Sequence, residues 1–292
     1  MFQKLGQHFL INKSAIHKII LALNLRPNDT VIEIGSGKGA LTFPLIKECQ
    51  KIGCEIIAIE KDHELAVSLE LLAIRNNSNI EILKGDALKI IPELTKSLKL
   101  KAESCKIIGN IPFYITGKLL RILSELENKP ELTVLMIQKE VAERICAEPK
   151  GMNPVRGGSS QDDRSHSPSA RTASNGMNLL AAAVQFWAKP EILFTLKPNE
   201  FSPPPKVEST VIKLTTLRPK PHTINPEIYY KLIHIIFKQP RKTVFNNLKT
   251  GLKMPPKSIE NHLKLLGIDP KSRPQNLSIT QIINFVRSDL TK

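Results

Sequence analysis

The chain has 292 residues, of which 41% are hydrophobic, enough for one large domain or a main domain with a smaller one. The N-terminal residues lack the apolar core of a signal peptide, and no apolar run reaches the roughly 18–20 residues that cross a bilayer. We therefore expect a cytoplasmic protein with no membrane partner. The net charge of +15 indicates a polyanionic partner such as nucleic acid, with solubility or attraction to a membrane surface as the alternatives.

Short apolar runs alternate with amphipathic stretches between residues 30 and 138. The runs that predict strands are 31–34, 55–59, 79–83, 106–109 and 133–137. Helical periodicity is found at 40–49, 63–73, 117–126 and 139–147. Strands separated by helices predict an α/β fold with a mainly parallel sheet. Right-handed crossovers place the carboxyl ends of such strands at one edge, where ligands bind.

Residues 149–176 break this alternation, because they are rich in Ser, Gly, Asn, Arg and Asp and offer almost nothing to bury. This composition predicts a disordered surface insertion, which a fold tolerates at little entropic cost. An RNA-binding arm that uses the arginines of the segment is the alternative.

The rest of the chain predicts two further strands and then a helical region. The strands are 191–196 and 207–215, joined by a proline-rich turn, and the helices are 226–238, 243–252, 259–266 and 280–289. We therefore expect a domain at 1–219 and a small, all-helical, RNA-binding C-terminal domain at 220–292.

The four cysteines predict no metal site. Cys49 and Cys54 are the only close pair, and no histidine cluster completes a ligand set. We expect reduced, mostly buried thiols.

The sharpest local signal is VIEIGSGKG (31–39), a predicted strand that ends in a Gly-x-Gly-x-Gly turn before a helix. Glycine lets a backbone take positive φ and approach a ligand closely. The spacing differs from the Gly-x-Gly-x-x-Gly of dinucleotide sites. We expect Gly35 and Gly37 to contact the ligand, and Glu33, just before the turn, suits a ligand with a positively charged end.

Acidic residues follow the next two predicted strands. Glu60 closes the second strand, as a carboxylate that accepts hydrogen bonds from both ribose hydroxyls should. Asp86 closes the third and can hold an adenine amino group. A lone acid at such a place is usually a helix cap, which is what we expect of Asp62. Three strand-end features in order instead predict a Rossmann-type site for S-adenosylmethionine.

The fourth predicted strand ends in GNIPFY (109–114). Its Asn-Ile-Pro-Phe tetrad resembles the (N/D)-P-P-(F/Y) loops of methyltransferases that modify a planar amino group. An aromatic amine is a poor nucleophile, and the side-chain oxygen of Asn110 and the carbonyl of Ile111 can accept its hydrogens. Pro112 fixes the φ of the loop, and Phe113 offers a stacking face worth roughly 1–3 kcal/mol. Catalysis then depends on positioning and electrostatics, without a general base.

Together these segments resemble the KsgA family of ribosomal RNA adenine dimethyltransferases. KLGQHFL (4–10) is similar to the N-terminal signature of the family, which closes over the cofactor. The likeness continues through IQKEVAER (137–144), FSPPPKVES (201–209) and RKTVFNNL (241–248). It covers nearly the whole chain except the 149–176 insertion, which stands where the family has a short link with Tyr-Gly.

The resemblance implies roles for particular residues. The cofactor contacts of the family match His8, Leu10, Gly35, Glu60, Asp86 and Asn110. Asn110 and Phe113 match the contacts to the target base, with Phe201 as a second stacking face. The resemblance also implies two methylations on each of two adjacent adenines in a hairpin near the 3′ end of small-subunit RNA, during ribosome biogenesis.

We expect the target adenine to flip from its stack into a pocket between Phe113 and Phe201. Lys206, Arg241 and Lys242 would hold phosphates. The partner implied is a small-subunit assembly intermediate, which suits a monomeric enzyme.

Three other functions are weighed against this one. The erythromycin-resistance class, which dimethylates an adenine of large-subunit RNA, shares the fold and the Asn-Ile-Pro-Phe type of loop (110–113, the acceptor loop), but segments 201–209 and 241–248 favour the KsgA family. A non-enzymatic assembly factor is disfavoured by the intact acceptor loop. A NAD-dependent oxidoreductase is disfavoured by the glycine spacing.

Overall fold

The computed structural model describes residues 7–76, 78–97, 104–150, 176–218 and 224–289. The chain divides into two compact units. The first contains Met1–Ala142 and Ala188–Thr216, and the second contains Glu143–Trp187 and Leu217–Lys292. The chain therefore leaves the first unit after Ala142 and returns to it at Ala188.

The first unit is built on a seven-stranded sheet. The strands described in this unit, including the two of a smaller sheet, are in chain order β1 (Phe9–Leu10), β2 (Thr30–Ile34), β3 (Glu55–Glu60), β4 (Glu81–Lys84), β5 (Cys105–Asn110), β6 (Leu132–Gln138), β7 (Ala188–Leu196), β8 (Phe201–Ser202) and β9 (Ser209–Thr216). The order across the large sheet is β4-β3-β2-β5-β6-β9-β7, and β1 pairs with β8 in a separate two-stranded sheet.

Five neighbouring strands of the large sheet, β4 to β6 in this order, are parallel, and β9 runs antiparallel between β6 and β7. This confirms the prediction of a mainly parallel sheet. Every residue of the central strand β2 is buried. Strands buried on both faces need a nearly continuous apolar run, which TVIEI supplies except for Glu33.

At least two of the helices described in the first unit begin at a side-chain cap. The helices of this unit are α1 (Lys13–Leu21), α2 (Thr42–Ile52), α3 (His63–Arg75), α4 (Ala87–Ser97), α5 (Thr116–Glu125) and α6 (Lys139–Ile145), the last of which continues into the second unit. Asn12 caps α1, and Asp62 caps α3 by accepting from the backbone N–H groups of Glu64 and Leu65, which confirms the capping role expected of it. The helices α1 and α4 were not among the predicted elements.

The β1–β8 pair ties the N-terminal segment to the chain just before β9. Leu10 pairs with Phe201 and Phe9 with Ser202 in antiparallel register. The backbone N–H of Ile11 also donates to the carbonyl of Glu200, at 2.9 Å. This pairing holds the residues before α1 beside the carboxyl edge of the large sheet.

The second unit is helical, as predicted for the C-terminal region. Its helices after α6 are α7 (Leu179–Gln185), α8 (Pro226–Ile236), α9 (Val244–Gly251), α10 (Pro256–Leu265) and α11 (Ile279–Asp289). This unit also takes in residues 143–187, which differs from the predicted division at 219/220. The reason is burial: Phe186 stacks on Tyr229 with ring centroids 3.9 Å apart, and the Tyr229 hydroxyl donates to the carbonyl of Ala182.

Cys49 and Cys54 form a disulfide, which corrects the expectation of free thiols for this pair. Gly53 ends α2 with a left-handed φ of 85°. The backbone N–H groups of Gly53 and Cys54 both bond to the carbonyl of Cys49. The reversal brings the two Cα atoms to 4.7 Å, within the range that a disulfide spans. Cys105 is buried and Cys146 half-buried.

Most of the insertion predicted at 149–176 lies outside the described residues, as do the first residues of the N-terminal signature, 4–6. In the part of the chain that the structure describes, no helix combines the length and apolarity needed to span a bilayer. The same residues include no group of three or more His, Cys, Asp or Glu side chains placed to hold a metal ion.

Candidate active site

The glycine turn follows β2 directly, at the carboxyl edge of the sheet. Gly35 and Gly37 have φ values of 71° and 55°, which side chains other than glycine rarely adopt. A Cβ on Gly37 would lie 2.9 Å from Cε1 of Phe9, so the absence of a side chain also lets the Phe9 ring pack on the turn. The Lys38 ammonium lies 4.8 Å from the centroid of the same ring.

Glu60 and Asp86 stand where β3 and β4 end, as predicted. The two carboxylate oxygens of Glu60 accept from the backbone N–H groups of Gly37 (2.7 Å) and Asp62 (2.8 Å). Each oxygen keeps a second lone pair for a ligand. Glu60 therefore links the glycine turn to the end of β3.

Asp86 is held by a backbone donor and by a lysine. It accepts from the N–H of Leu88 at 3.0 Å and from the ammonium of Lys61 at 3.1 Å. Partial burial raises the pKa of the Asp86 carboxyl. The two donors and the charge of Lys118 lower it by more than burial raises it, so the pKa of Asp86 lies below its ordinary value. The hydrogen bond with Asp86 raises the pKa of Lys61. Both groups are charged at neutral pH.

The acceptor loop begins at the last residue of β5. The backbone N–H of Ile111 donates to the carbonyl of Met136 on β6, at 3.0 Å, which fixes the start of the loop. Phe113–Ile115 then form a short 3₁₀ helix that leads into α5. Gly109 lets the loop pass close to β2, because a Cβ there would lie 2.7 Å from the carbonyl oxygen of Ile34.

The N-terminal segment contacts the acceptor loop. The side-chain amide of Asn110 donates to the backbone carbonyl of His8 at 2.7 Å. The His8 ring nitrogen Nδ1 is 2.8 Å from the carbonyl of Pro203, which follows β8. These contacts set the orientation of the Asn110 side chain, since its donor end is engaged by His8 and its oxygen is left to accept.

These elements line a cleft of about 940 Å³ that is open to solvent, so this volume includes solvent-filled space at its mouth. Its walls come from the N-terminal segment, the glycine turn, the ends of β3 and β4, the acceptor loop and the strands β8 and β9. The lining residues are Gln7, His8, Phe9, Ile34, Gly35, Gly37, Ile59, Glu60, Lys61, Gly85, Asp86, Ala87, Asn110, Ile111, Pro112, Phe113, Tyr114, Ile115, Phe201 and Ser209.

Two residues predicted to bind the cofactor, Leu10 and Glu33, lie behind this wall. Leu10 is 3% exposed and Glu33 is 1% exposed, and neither lines the cleft. The pKa of Glu33 is raised from 4.5 to about 7: burial is the main cause, an interaction with the Thr42 side chain opposes it in part, and the nearby Glu60 charge adds to it. The structure thus offers no direct contact between the Glu33 side chain and a molecule in the cleft.

The two predicted stacking faces differ in exposure. Phe113 is half-buried at the cleft wall, whereas Phe201 is 3% exposed and packed within the core of the sheet and the N-terminal helix. Both rings line the cleft, but Phe201 offers only a small part of its surface.

The cleft contains three notable residues that the sequence interpretation did not single out: Phe9, Lys61 and Tyr114. Lys61 directly follows Glu60 and Tyr114 directly follows Phe113, so their positions in the sequence could have indicated that they lie at the site. Phe9 reaches the cleft only because β1 pairs with β8.

The residues predicted to hold RNA phosphates are all exposed. Lys206 lies in the first unit, on the segment between β8 and β9. Arg241 and Lys242 lie in the second unit, between α8 and α9. None of them lines the cleft.

The strand order, together with a cleft bordered by the glycine turn, defines a Rossmann-type methyltransferase domain. Solved structures agree with this fold. A dimethyladenosine transferase from Plasmodium falciparum superposes with a TM-score of 0.72 at 24% identity, over 95% of this chain and 96% of that one. The 23S rRNA methyltransferase ErmE superposes with a TM-score of 0.67 at 20% identity, over 96% and 98% of the two chains.

Sequence comparison is more specific. Residues 2–154 and 168–288 match the model of the ribosomal RNA adenine dimethylase family. A ribosomal RNA small subunit methyltransferase A from Clostridium botulinum is 36% identical over 96% of this chain and 90% of its own length. Its counterpart from Dehalococcoides mccartyi is 33% identical over 95% and 84% of the two chains. The chain belongs to the ribosomal RNA adenine dimethylase family.

Proposed function

We propose that this protein transfers methyl groups from S-adenosylmethionine to the exocyclic amino groups of two adjacent adenines in the 3′-terminal hairpin of small-subunit ribosomal RNA. The observation that carries the proposal is that the acceptor loop, Asn110–Phe113, lines the same cleft as the glycine turn and the carboxylates of Glu60 and Asp86. An acceptor site and a cofactor site therefore meet in one space. The curated relatives named ribosomal RNA small subunit methyltransferase A support the choice of RNA.

The residues of the cleft fit the cofactor. Gly35 and Gly37 leave main-chain surface at the end of β2. Glu60 supplies carboxylate lone pairs where ribose hydroxyls would donate, and Asp86 stays ionised where an adenine amino group would donate. S-adenosylmethionine, when bound, supplies a methyl group on a sulfonium, a strong leaving group. Glu33, just before the glycine turn, and Leu10, in β1, lie behind the wall and make no direct side-chain contact with the cofactor.

Asn110 orients the acceptor. Because its amide donates to His8, its oxygen Oδ1 accepts a hydrogen from the target amine, and the Ile111 carbonyl accepts the second. Two acceptors favour a more pyramidal nitrogen whose lone pair points at the methyl group. Pro112 holds the loop, and Phe113 stacks on the flipped base, while Phe201 closes the far wall.

The RNA is held outside the cleft by positive charge. The chain carries a net charge of +15, and Lys206, Arg241 and Lys242 are exposed. Each phosphate contact releases counterions, so binding weakens steeply with salt. We infer that the substrate is a small-subunit assembly intermediate, met in the cytoplasm by a monomer of this protein.

The decisive experiment offers labelled S-adenosylmethionine with under-methylated small and large ribosomal subunits and maps the modified nucleotides. Dimethyladenine in the 3′-terminal hairpin of small-subunit RNA is the expected result. Label in large-subunit RNA would instead assign the protein to the erythromycin-resistance class. Tight binding of small subunits without label would indicate an assembly factor.

A further inference from the structure

Tyr114 is an exposed aromatic residue at the mouth of the cleft, with no part in the methyl-transfer step described above. Its side chain is 65% exposed, the highest value for any aromatic among the described large hydrophobic residues, and it still lines the cleft. Single exposed apolar side chains are common on protein surfaces, so the informative feature of Tyr114 is that its exposed ring also lines the cleft, where a ligand can contact it.

The backbone aims Tyr114 away from Phe113. Both residues lie in the 3₁₀ turn Phe113–Ile115, in which three residues complete a turn, so consecutive side chains project about 120° apart. Phe113 is half-buried against the cleft wall, and Tyr114 faces outward. The turn is closed by hydrogen bonds from Ile115 N to the carbonyl of Pro112 and from Thr116 N to the carbonyl of Phe113. The two rings are therefore held apart at fixed places.

Two lysines lie at this part of the cleft or next to it in the chain. Lys61 is close enough to Tyr114 for the two to interact electrostatically, and it pairs with Asp86 at 3.1 Å. Lys118, the third residue of α5, is exposed and close enough to Asp86 to favour its ionised form. Lys61, near the ring, and Lys118, four residues after Tyr114 in the chain, place basic groups next to an open aromatic face, which is the combination that binds single-stranded nucleic acid.

We propose that the Tyr114 ring stacks on the nucleotide next to the target adenine, while Lys118 pairs with its phosphate. Phe113 then holds the flipped base inside the cleft, and Tyr114 holds its neighbour at the mouth. The pair positions the RNA strand and contributes to substrate selection. This inference rests on the proposed function and names a further contact of the same site.

The first test measures steady-state methyl transfer to under-methylated small subunits. Tyr114→Ala raises KM for the subunit on the order of tenfold and changes kcat less than about twofold, because stacking on a flanking base contributes to binding rather than to the reacting nitrogen. Tyr114→Phe retains wild-type KM, since the ring and not the hydroxyl makes the contact. Ile74→Ala is the matched control, because Ile74 is 71% exposed on α3 and does not line the cleft.

The second test does not depend on turnover. A synthetic hairpin carries 2-aminopurine on one side or the other of the target adenine and is titrated with the full-length protein and S-adenosylhomocysteine. Stacking on Tyr114 quenches one of the two probes, and Tyr114→Ala restores its fluorescence. Lys118→Gln lowers the salt dependence of hairpin binding by about one unit of log–log slope.

The outcomes separate the two proposals. Adenine methylation by the wild-type protein with unchanged KM and unchanged probe fluorescence in Tyr114→Ala overturns the Tyr114 contact and leaves the function standing. Quenching that requires Tyr114, without methylation of adenine in either subunit, keeps the contact and overturns the function. A wild-type protein that neither methylates nor quenches overturns both.

Discussion

The two ends of the parallel sheet use charged residues in opposite ways. At the amino-terminal end, Lys106 of β5 pairs with Asp29, which precedes β2, at 2.7 Å, and both side chains are 2% exposed. The Lys106 ammonium also donates to the carbonyl of Asn24. At the carboxyl-terminal end, Glu60 and Asp86 line an open cleft.

The difference shows how one sheet separates stability from chemistry. We call the amino-terminal end closed because each charge of the buried Lys106–Asp29 pair is paired with another protein group. Removal of either charge leaves the other uncompensated in a medium of low dielectric. The carboxylates at the opposite end are satisfied only in part by backbone donors, so they keep capacity for a ligand. Substitutions at the closed end should therefore lower the free energy of unfolding. Substitutions at the open end, where Glu60 and Asp86 line the cleft, should change ligand affinity and kcat.

The largest expected effect is at the closed end. Lys106→Met removes the ammonium partner of the buried Asp29 carboxylate, which keeps the backbone N–H of Arg26 at 2.7 Å and the half-exposed Arg26 guanidinium at 3.8 Å, and we expect the free energy of unfolding to fall by about 3–5 kcal/mol. The double variant Asp29→Asn with Lys106→Met recovers most of this loss, because the stranded charge is removed. Urea denaturation measures both. Equal stability of Lys106→Met and the wild-type protein would show that water reaches the pair.

The next largest effect is at the open end. Asn110→Ala removes an acceptor for the target amine, and we expect kcat to fall roughly 100- to 1,000-fold. Affinity for S-adenosylmethionine, measured by calorimetry, changes only a few-fold, and the urea midpoint is nearly unchanged. Turnover at the wild-type level in this variant would contradict the role assigned to Asn110.

Glu33 combines features of both ends of the sheet, because it is a fully buried acid that lies near the cleft at the carboxyl-terminal end. Its pKa is about 7 in the folded protein and 4.5 in the unfolded chain. Between these values the folded state binds the extra proton, so stability falls as the pH rises from 4.5 through 7, and the full cost remains above 7. Glu33→Gln carries no charge, so we expect it to be more stable than the wild-type protein at pH 8, by at most about 3 kcal/mol.

This advantage of Glu33→Gln diminishes as the pH falls through 7 and vanishes near 4.5. Urea denaturation at pH 8 and pH 5 tests the trend. A stability difference of the same size at both pH values would show that the ionisation of Glu33 is not its cause.

The smallest effect lies in the second unit. Arg241→Gln is expected to weaken RNA binding only a few-fold and to reduce the slope of log affinity against log salt by about one, as loss of a single phosphate contact does. Lys264→Gln is the control, because Lys264 is exposed in the same unit and pairs with Glu260 at 2.8 Å. Identical slopes for the two variants would remove Arg241 from the RNA-binding surface.

The strands of the large sheet, the glycine turn, the acids that follow β3 and β4, and the acceptor loop were all predictable from the amino-acid sequence. Each of these features depends on residues close together in the chain: an apolar run, glycines at fixed spacing, or a polar residue just after a strand. Since parallel strands share a carboxyl edge, the order of these motifs was enough to expect them in one site.

Contacts between residues far apart in the chain could not be predicted and are seen only in the folded protein. The contact between Asn110 and His8 joins residues 102 positions apart, and the β1–β8 pair that brings Phe9 to the cleft spans a still greater separation. The burial of Phe201 and the inclusion of residues 143–187 in the helical unit likewise depend on which surfaces pack together. A local pattern records which face of an element is apolar but not which partner covers it, and for that reason these features had to come from the folded chain.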